Sequence, residues 1–486
     1  MQYKWVVLSN TTVGTLMASL DANIVLIALP TIAKQLPGTT VFILLWILLG
    51  YALLTSVVLL NFGRLGDMYG RVRLYTTGFA IFTVGSALCG LSQTGTELVL
   101  FRLVQALGAA FLFANSAAII TDAFPPDERG RALGINQVSI VAGAVTGLVL
   151  GGILTSLLGW RSIFYVNVPI GIIATWRSYA GLRELHRPEK EHSLDWAGNI
   201  SFAAGLALIL LGVTLYALGQ IRPDDFSVLL AIGGALLVLF VWIERRVRYP
   251  MFDLSLLRIR MFSASIMAIF LNAVARGAFS FVMVFYLQGP PHYLSPLNAG
   301  LYLIPVSASL AAIGPISGAL SDRYGSRPFA VLGLLVSAAG FLWLTQIGPT
   351  TTFLELLGPF ILVGFGMGLF ASPNRASMMN SVPPPRRGVA SGIGTTLVNS
   401  GSTLSLALAI VVMAKALPLG SLTAIFLGAP PVTISSAAVA HFIDAAHSVF
   451  ALAAVLLLVA LVPAGLRGRE TRLRPGDPVG LPSADK

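Results

Sequence analysis

Mostly apolar stretches of about twenty residues, the length that crosses a bilayer as a helix, follow one another along almost the whole chain. Short segments between them hold most of its charge. The pattern predicts about fourteen transmembrane helices, at 5–30, 43–63, 74–92, 95–120, 134–158, 162–182, 196–218, 226–245, 262–288, 296–320, 328–347, 352–375, 388–414 and 445–466. The stretches at 162–182 and 388–414 are the least clean. The expected fold class is an all-α integral membrane protein. The first stretch is longer than the apolar core of a signal peptide and contains Asp21, so it reads as a retained helix.

Of the 486 residues, 56% are hydrophobic and 10% charged, against about 25% charged in a soluble domain. Too little charge is left to coat soluble cores, so lipid has to be the solvent for most of this surface. The net charge of +11 does not point to nucleic acid, because Lys and Arg sit in short clusters between apolar runs. With the N-terminus placed inside, 23 of the 31 Lys and Arg fall on cytoplasmic segments, among them Arg64, Arg71 and Arg73, Arg129 and Arg131, Arg245 and Arg246, and Arg386 and Arg387. Four (Lys34, Arg161, Arg222 and Lys415) fall outside, and Arg102, Arg177, Arg276 and Arg375 fall within the spans. This bias predicts a multi-pass inner-membrane protein with both termini in the cytoplasm. The single cysteine, Cys89, excludes an internal disulfide and a multi-Cys metal site. There is no Walker loop, H-E-x-x-H or C-x-x-C, so neither a cofactor, a metal nor ATP drive is expected. His186 and His192 lie in a charged loop and read as solvated.

The chain also repeats itself. Gly63-Arg-Leu-Gly-Asp-Met-Tyr-Gly70 matches Gly318-Ala-Leu-Ser-Asp-Arg-Tyr-Gly325 at an offset of 255 residues. Pro125-Pro-Asp-Glu-Arg-Gly-Arg-Ala-Leu-Gly134 matches Pro383-Pro-Pro-Arg-Arg-Gly-Val-Ala-Ser-Gly392 at an offset of 258. Both copies fall on cytoplasmic loops, which predicts two parallel halves related by an axis along the membrane normal. The expected domains are a six-helix bundle at 1–182, a linker with two inserted helices at 183–261, a second six-helix bundle at 262–466 and a tail at 467–486.

The loop Gly63-Arg-Leu-Gly-Asp-Met-Tyr-Gly-Arg-Val-Arg73 resembles the signature between helices two and three of the major facilitator superfamily. Two halves with an inserted pair resemble its fourteen-helix drug:proton antiporter family. So do Leu20-Asp-Ala-Asn-Ile-Val-Leu-Ile-Ala-Leu-Pro30, Gly159-Trp-Arg-Ser-Ile-Phe-Tyr-Val-Asn-Val-Pro-Ile-Gly171, Leu194-Asp-Trp-Ala-Gly198 and Pro250-Met-Phe-Asp-Leu254. The helix-five motif Gly143, Gly147, Gly151 and Gly152 keeps that family's glycine spacing, which allows close helix packing, with Leu148 where the antiporters have proline. That departure leaves the direction of transport open.

Asp21 lies deep in the first span, where an ionised carboxylate costs roughly 2.5–3.5 kcal/mol on insertion scales. Such a group is suited to binding a proton, or a cationic substrate, and releasing it on the other side. The alternative is a carboxylate held by a neighbouring hydroxyl or arginine for packing alone. Arg102 sits in Phe101-Arg-Leu-Val-Gln-Ala-Leu-Gly108, which resembles the family's helix-four motif, whose arginine is implicated in proton transfer. Gln105 shares its face. Arg276, mid-span in Asn272-Ala-Val-Ala-Arg-Gly277, is either a second cavity charge for an anionic group or half of a tertiary ion pair. Tyr286 to Gln288 read as an interfacial anchor, and Asn374 and Arg375 as an interfacial or loop-packing end of the twelfth span. The resemblance implies that Asp67 and Arg71, with Gly63 and Gly70, form a conformational latch between the halves, with Asp322 and Gly325 as second-half counterparts.

The reading is a secondary transporter rather than an enzyme: a proton-coupled exporter of amphipathic drug-like compounds acting by alternating access, monomeric, its partners being protons, a small-molecule substrate and the bilayer. A carrier of one metabolite or lipid and a non-transporting membrane subunit are the alternatives. The external segment at 415–444 has no expected role.

Overall fold

The structure, a computed structural model, describes residues 2–125, 128–185, 195–247, 250–383, 386–428 and 434–467. His186 and His192 lie outside the described residues, and so does the side chain of Asp322. All the α and 3-10 elements are α1 (Tyr3–Gln35), α2 (Val41–Tyr69), α3 (Arg71–Leu91), α4 (Gly95–Ala123), α5 (Arg129–Leu158), α6 (Ser162–Tyr165), α7 (Asn167–Gly181), α8 (Trp196–Ala217), α9 (Pro223–Glu244), a 3-10 turn (Leu254–Arg258), α10 (Arg260–Arg276), α11 (Phe279–Gln288), α12 (Pro296–Tyr302), α13 (Ile304–Tyr324), α14 (Ser326–Leu344), α15 (Phe353–Asn380), α16 (Arg387–Ala416), α17 (Leu419–Phe426) and α18 (Ser436–Gly465). The described chain is all-helical, as expected, with no strand among those residues.

Local chemistry sets the helix ends. Thr40, Thr94, Asp195, Ser295 and Ser435 each accept a backbone N–H of the helix they open. Gly70 and Gly325 adopt φ of +105° and +88° between paired helices, a backbone that favours glycine. Proline explains two breaks. Pro169 has no N–H for the Tyr165 carbonyl, where α6 stops, and Pro305 has none for the Leu301 carbonyl, beside the join of α12 and α13.

Thirteen stretches among the described residues are long and apolar enough to cross a membrane, with α10–α11 and α12–α13 each counted as one. The difference from fourteen falls at 162–182, where the chain forms α6 and α7. The 15 residues of α7 reach about 22 Å at 1.5 Å per residue, short of a hydrocarbon core of about 30 Å. Exposed Leu158, Trp176, Tyr179, Val238 and Leu354 give the outside a lipid-facing character.

The helices close into two groups. In one, α1 packs on α5 and α4, α3 on α4 and α7, and α2 on α4. In the other, α10 packs on α16, α18 and α15, α14 on α15 and α18, and α13 on α15. The groups meet where α5 lies on α12 and α13, α2 on α16, and α1 on α11 and α12. The α8–α9 hairpin sits at this seam, α8 touching both α2 and α16.

Several helices outrun their apolar stretches. The α15 helix continues to Asn380, so Asn374 and Arg375 do not end it: Asn374 is buried and donates to the Ser265 carbonyl at 3.1 Å, and Arg375 reaches Gln137 on α5. Tyr286 is no interfacial anchor either. It is fully buried, and its hydroxyl donates to the Gly348 carbonyl at 2.6 Å. Gln288 donates to the Ile27 carbonyl at 2.8 Å, tying α11 to α1. The segment at 415–444 contains α17, whose Phe426 packs 4.6 Å from Phe285 and 5.5 Å from Phe281, ring centre to ring centre.

Candidate functional site

Glycines press the helices of the first group together. A Cβ on Gly143 or Gly147 would lie 2.6 Å from the Leu16 carbonyl oxygen or 2.5 Å from that of Leu20, and one on Gly151 2.6 Å from Ile27. This run of α5 therefore lies directly on α1, and Asp21 is turned from it toward α4. Gly152 faces the other way, against the Pro296 carbonyl of α12. On the far side, Gly85 and Gly108 bring α3 and α4 into backbone contact: a Cβ on either would sit 2.7 Å from the Cα of Gln105 or Phe82.

Asp21 thereby becomes the centre of a closed polar cluster with no solvent exposure. Its Oδ2 accepts from Arg102 Nη1 at 2.5 Å, and its Oδ1 accepts from Gln105 Nε2 at 2.8 Å and Asn167 Nδ2 at 2.9 Å. Ser86 Oγ accepts from the same two amides, at 3.1 and 3.2 Å, and donates to the Phe164 carbonyl at 2.9 Å. Arg102 Nη1 also donates to Gln105 Oε1 at 2.7 Å, and its guanidinium lies 3.9 Å from the centre of the Tyr51 ring. Three donors converge on two carboxylate oxygens, an arrangement suited to the ionised form, which only accepts. The polar side chains come from α1, α3, α4 and α7, with the Tyr51 ring from α2 and the Phe164 carbonyl from α6.

Three candidates from one motif stretch and one distant acid thus meet, while Arg276 stands apart from them. It hydrogen-bonds to Asn272 Oδ1 through Nε at 3.1 Å and makes no ion pair among the described residues. Ser86, Asn167 and Tyr51 were missed. Asn167 at least had a signal, a polar residue inside one of the apolar motif stretches.

The loop motif is also wired differently from the expected latch. Arg71 pairs with Asp67 at 2.7 Å and bonds both oxygens of Asp122 on α4 at 2.7 and 2.8 Å. Glu184 caps the start of α3 by accepting from Val72 N at 2.9 Å. Among the described residues this network stays within the first group of helices. Gly63 meets nothing closer than 4.0 Å, whereas a Cβ on Gly66 would overlap Asn115 of α4, so the close approach is made by Gly66. On this face Arg64 donates to the Pro250 carbonyl of the linker at 2.8 Å, and Arg375 of α15 reaches Gln137 of α5 across the two groups.

The Major Facilitator Superfamily model matches residues 11–406. The riboflavin transporter RibZ of Clostridioides difficile (strain 630) is 33% identical over 418 residues, covering 84% of this chain and 88% of that protein. Multidrug resistance protein Stp of Mycobacterium tuberculosis (strain CDC 1551 / Oshkosh) is 34% identical over 403 residues, covering 82% and 73%. In fold, the chain is similar to the crystal structure of a bacterial homologue of the human lysosomal transporter Spinster, inward-facing and unoccupied, with a TM-score of 0.68 at 18% identity over 96% of this chain and 97% of that one. The polytopic helical architecture and the family match agree, and the chain belongs to the Major Facilitator Superfamily of membrane transporters.

Proposed function

We propose that this transporter exports amphipathic drug-like compounds in exchange for protons, with Asp21 and Arg102 as the coupling pair. The observation that carries this reading is the fully buried ion pair between α1 and α4, the one place among the described residues where the membrane interior holds a carboxylate and its countercharge. Such groups are costly in lipid and are functional by default.

Proton uptake by Asp21 removes the negative charge that holds Arg102, leaving the guanidinium buried without a countercharge and favouring its withdrawal. Withdrawal shifts α4 against α1, and with it the packing of the first group. The two helix groups, 1–182 and 262–466, then act as bodies that rock about a midplane site, with both termini on the basic, cytoplasmic side. Bonds such as Gln288 to Ile27 on one face and Arg375 to Gln137 on the other exchange between states. In the other state Asp67 is free to meet the second group, as the family's latch requires. Each proton moving with the membrane potential contributes about 2.3 kcal/mol per 100 mV. Stp, named for multidrug resistance, supports efflux.

The test is Asp21→Asn in inverted vesicles with an imposed proton gradient. Gradient-driven dye movement is expected to vanish, while exchange of cargo down its own gradient persists. Unchanged pH-driven flux in the variant would remove Asp21 from coupling. The match to RibZ favours a second reading, a carrier of one metabolite. Saturable movement of riboflavin, with no movement of a dye panel, would decide for it.

A further inference from the structure

We propose that Arg276 and Asn272 form the anion-recognition point of the cargo site, so that the transported amphipath bears an acidic oxygen group: a carboxylate, phosphate, sulfonate or acidic phenol. The inference rests on the transporter reading and narrows its cargo.

Arg276 lies near the middle of the span Arg260–Gln288, where a charged side chain is costly unless it is met by a countercharge. Among the described residues Arg276 has no ion-pair partner. Between residues 262 and 466 the only acids are Asp322, Glu355 and Asp444. Asp322 and Glu355 fall within the last or first three residues of their helices, and Asp444 is exposed near the start of α18. In the first group the mid-membrane acid, Asp21, is already taken by Arg102.

The guanidinium does have direction. Residues three apart on a helix differ by about 60° around its axis. Ala273 seats against Gly401 of α16, and Phe279 against Phe360 of α15. Arg276, the last residue of α10, lies between these two seats on a helix that packs on both α15 and α16. Asn272, one turn away, is 5% exposed, and its Nδ2 has no hydrogen-bond partner. Its Oδ1 holds Arg276 Nε. The pair therefore leaves the guanidinium Nη1 and Nη2 and the amide NH2, donors only, without partners among the described residues. A donor-only cluster in oil is matched by an anionic oxygen group, to which arginine can bind through two parallel bonds.

At the 255-residue offset of the loop repeat nearest these helices, Arg276 corresponds to Asp21. Asp21 has its ion-pair partner in Arg102, whereas Arg276 has none among the described residues.

The test measures equilibrium binding of two xanthene dyes of similar size, anionic fluorescein and cationic rhodamine 6G, by fluorescence anisotropy. The full chain is used in nanodiscs of phosphatidylcholine with no gradient, so that a failure of proton coupling does not affect the result. Wild type is expected to bind fluorescein the more tightly. Arg276→Gln should weaken fluorescein by about ten- to a hundredfold and leave rhodamine 6G within about twofold, and Arg276→Lys should lie between. Variants are compared only as monodisperse protein. Wild type preferring rhodamine 6G, or Arg276→Gln binding fluorescein normally, overturns the proposal. So does a phosphatidylglycerol that copurifies with wild type, is absent from Arg276→Gln and excludes fluorescein, since the anion would then be a lipid headgroup rather than cargo.

Discussion

The two helix groups share an architecture but differ in what fills matched positions near the membrane centre. In the first, Asp21, Ser86 and Arg102 form the hub of a hydrogen-bonded cluster. In the second, Ser86 and Arg102 correspond at the repeat offsets of 255 and 258 to Phe341 and Phe360, which meet around Phe279 of α11. Both pack edge to face on it at 5.8 Å between ring centres, with Phe450 closing the cluster. Here four helices meet through aromatic packing in place of a polar cluster. A buried ion pair in place of such rings is weak evidence for stability. On the proposed coupling reading, the polar cluster is the part that switches and the aromatic cluster keeps the matching part of the second group rigid.

The largest effect is expected at Arg102. Arg102→Ala leaves Asp21 buried without its countercharge and should cost about 3–5 kcal/mol in reversible unfolding in mixed micelles. Adding Asp21→Asn to it should recover much of that loss, and a double variant no more stable than Arg102→Ala would mean that the pair is not the source. Next, Phe279→Ala should cost about 3 kcal/mol or more from the cavity left among three rings, with no change in its pH dependence. A pH-dependent loss would contradict the division between the groups. Gly147→Val should cost about 1–3 kcal/mol by overpacking against the Leu20 carbonyl, with transport falling too because α1 is pushed toward α4. Smallest is Asp122→Asn. Its pairing with Arg71 is partly solvent-exposed, so the stability change should stay within about 1 kcal/mol and shrink in high salt.

Much of this was legible in the chain because charge in an apolar stretch is rare. Asp21, Arg102 and Arg276 stand out for that reason, and the apolar stretches locate the helices. The partners of Asp21 were harder to find. Ser86 and Asn167 are neutral residues common in membrane helices, and they reach the acid only through the crossing of α3, α4 and α7. Helix ends were misjudged for a related reason. Apolarity reports where the hydrocarbon stops, whereas α15 continues past it, which moved Arg375 from a helix end to a contact with α5. Gly63 and Gly70 stand out as members of the loop motif, whereas the close approach of Gly66 to Asn115 depends on how α2 and α4 cross. At 162–182, Pro169 is visible in the sequence, but its effect depends on the lost bond to Tyr165.

The central claim is that Asp21 changes its proton as the protein works. The direct measurement is the number of protons released or taken up when cargo binds to purified protein in weakly buffered solution, followed with a pH-indicating dye. The account predicts a cargo-dependent proton signal in wild type that is absent in Asp21→Asn although cargo still binds. An undiminished signal in that variant would contradict it.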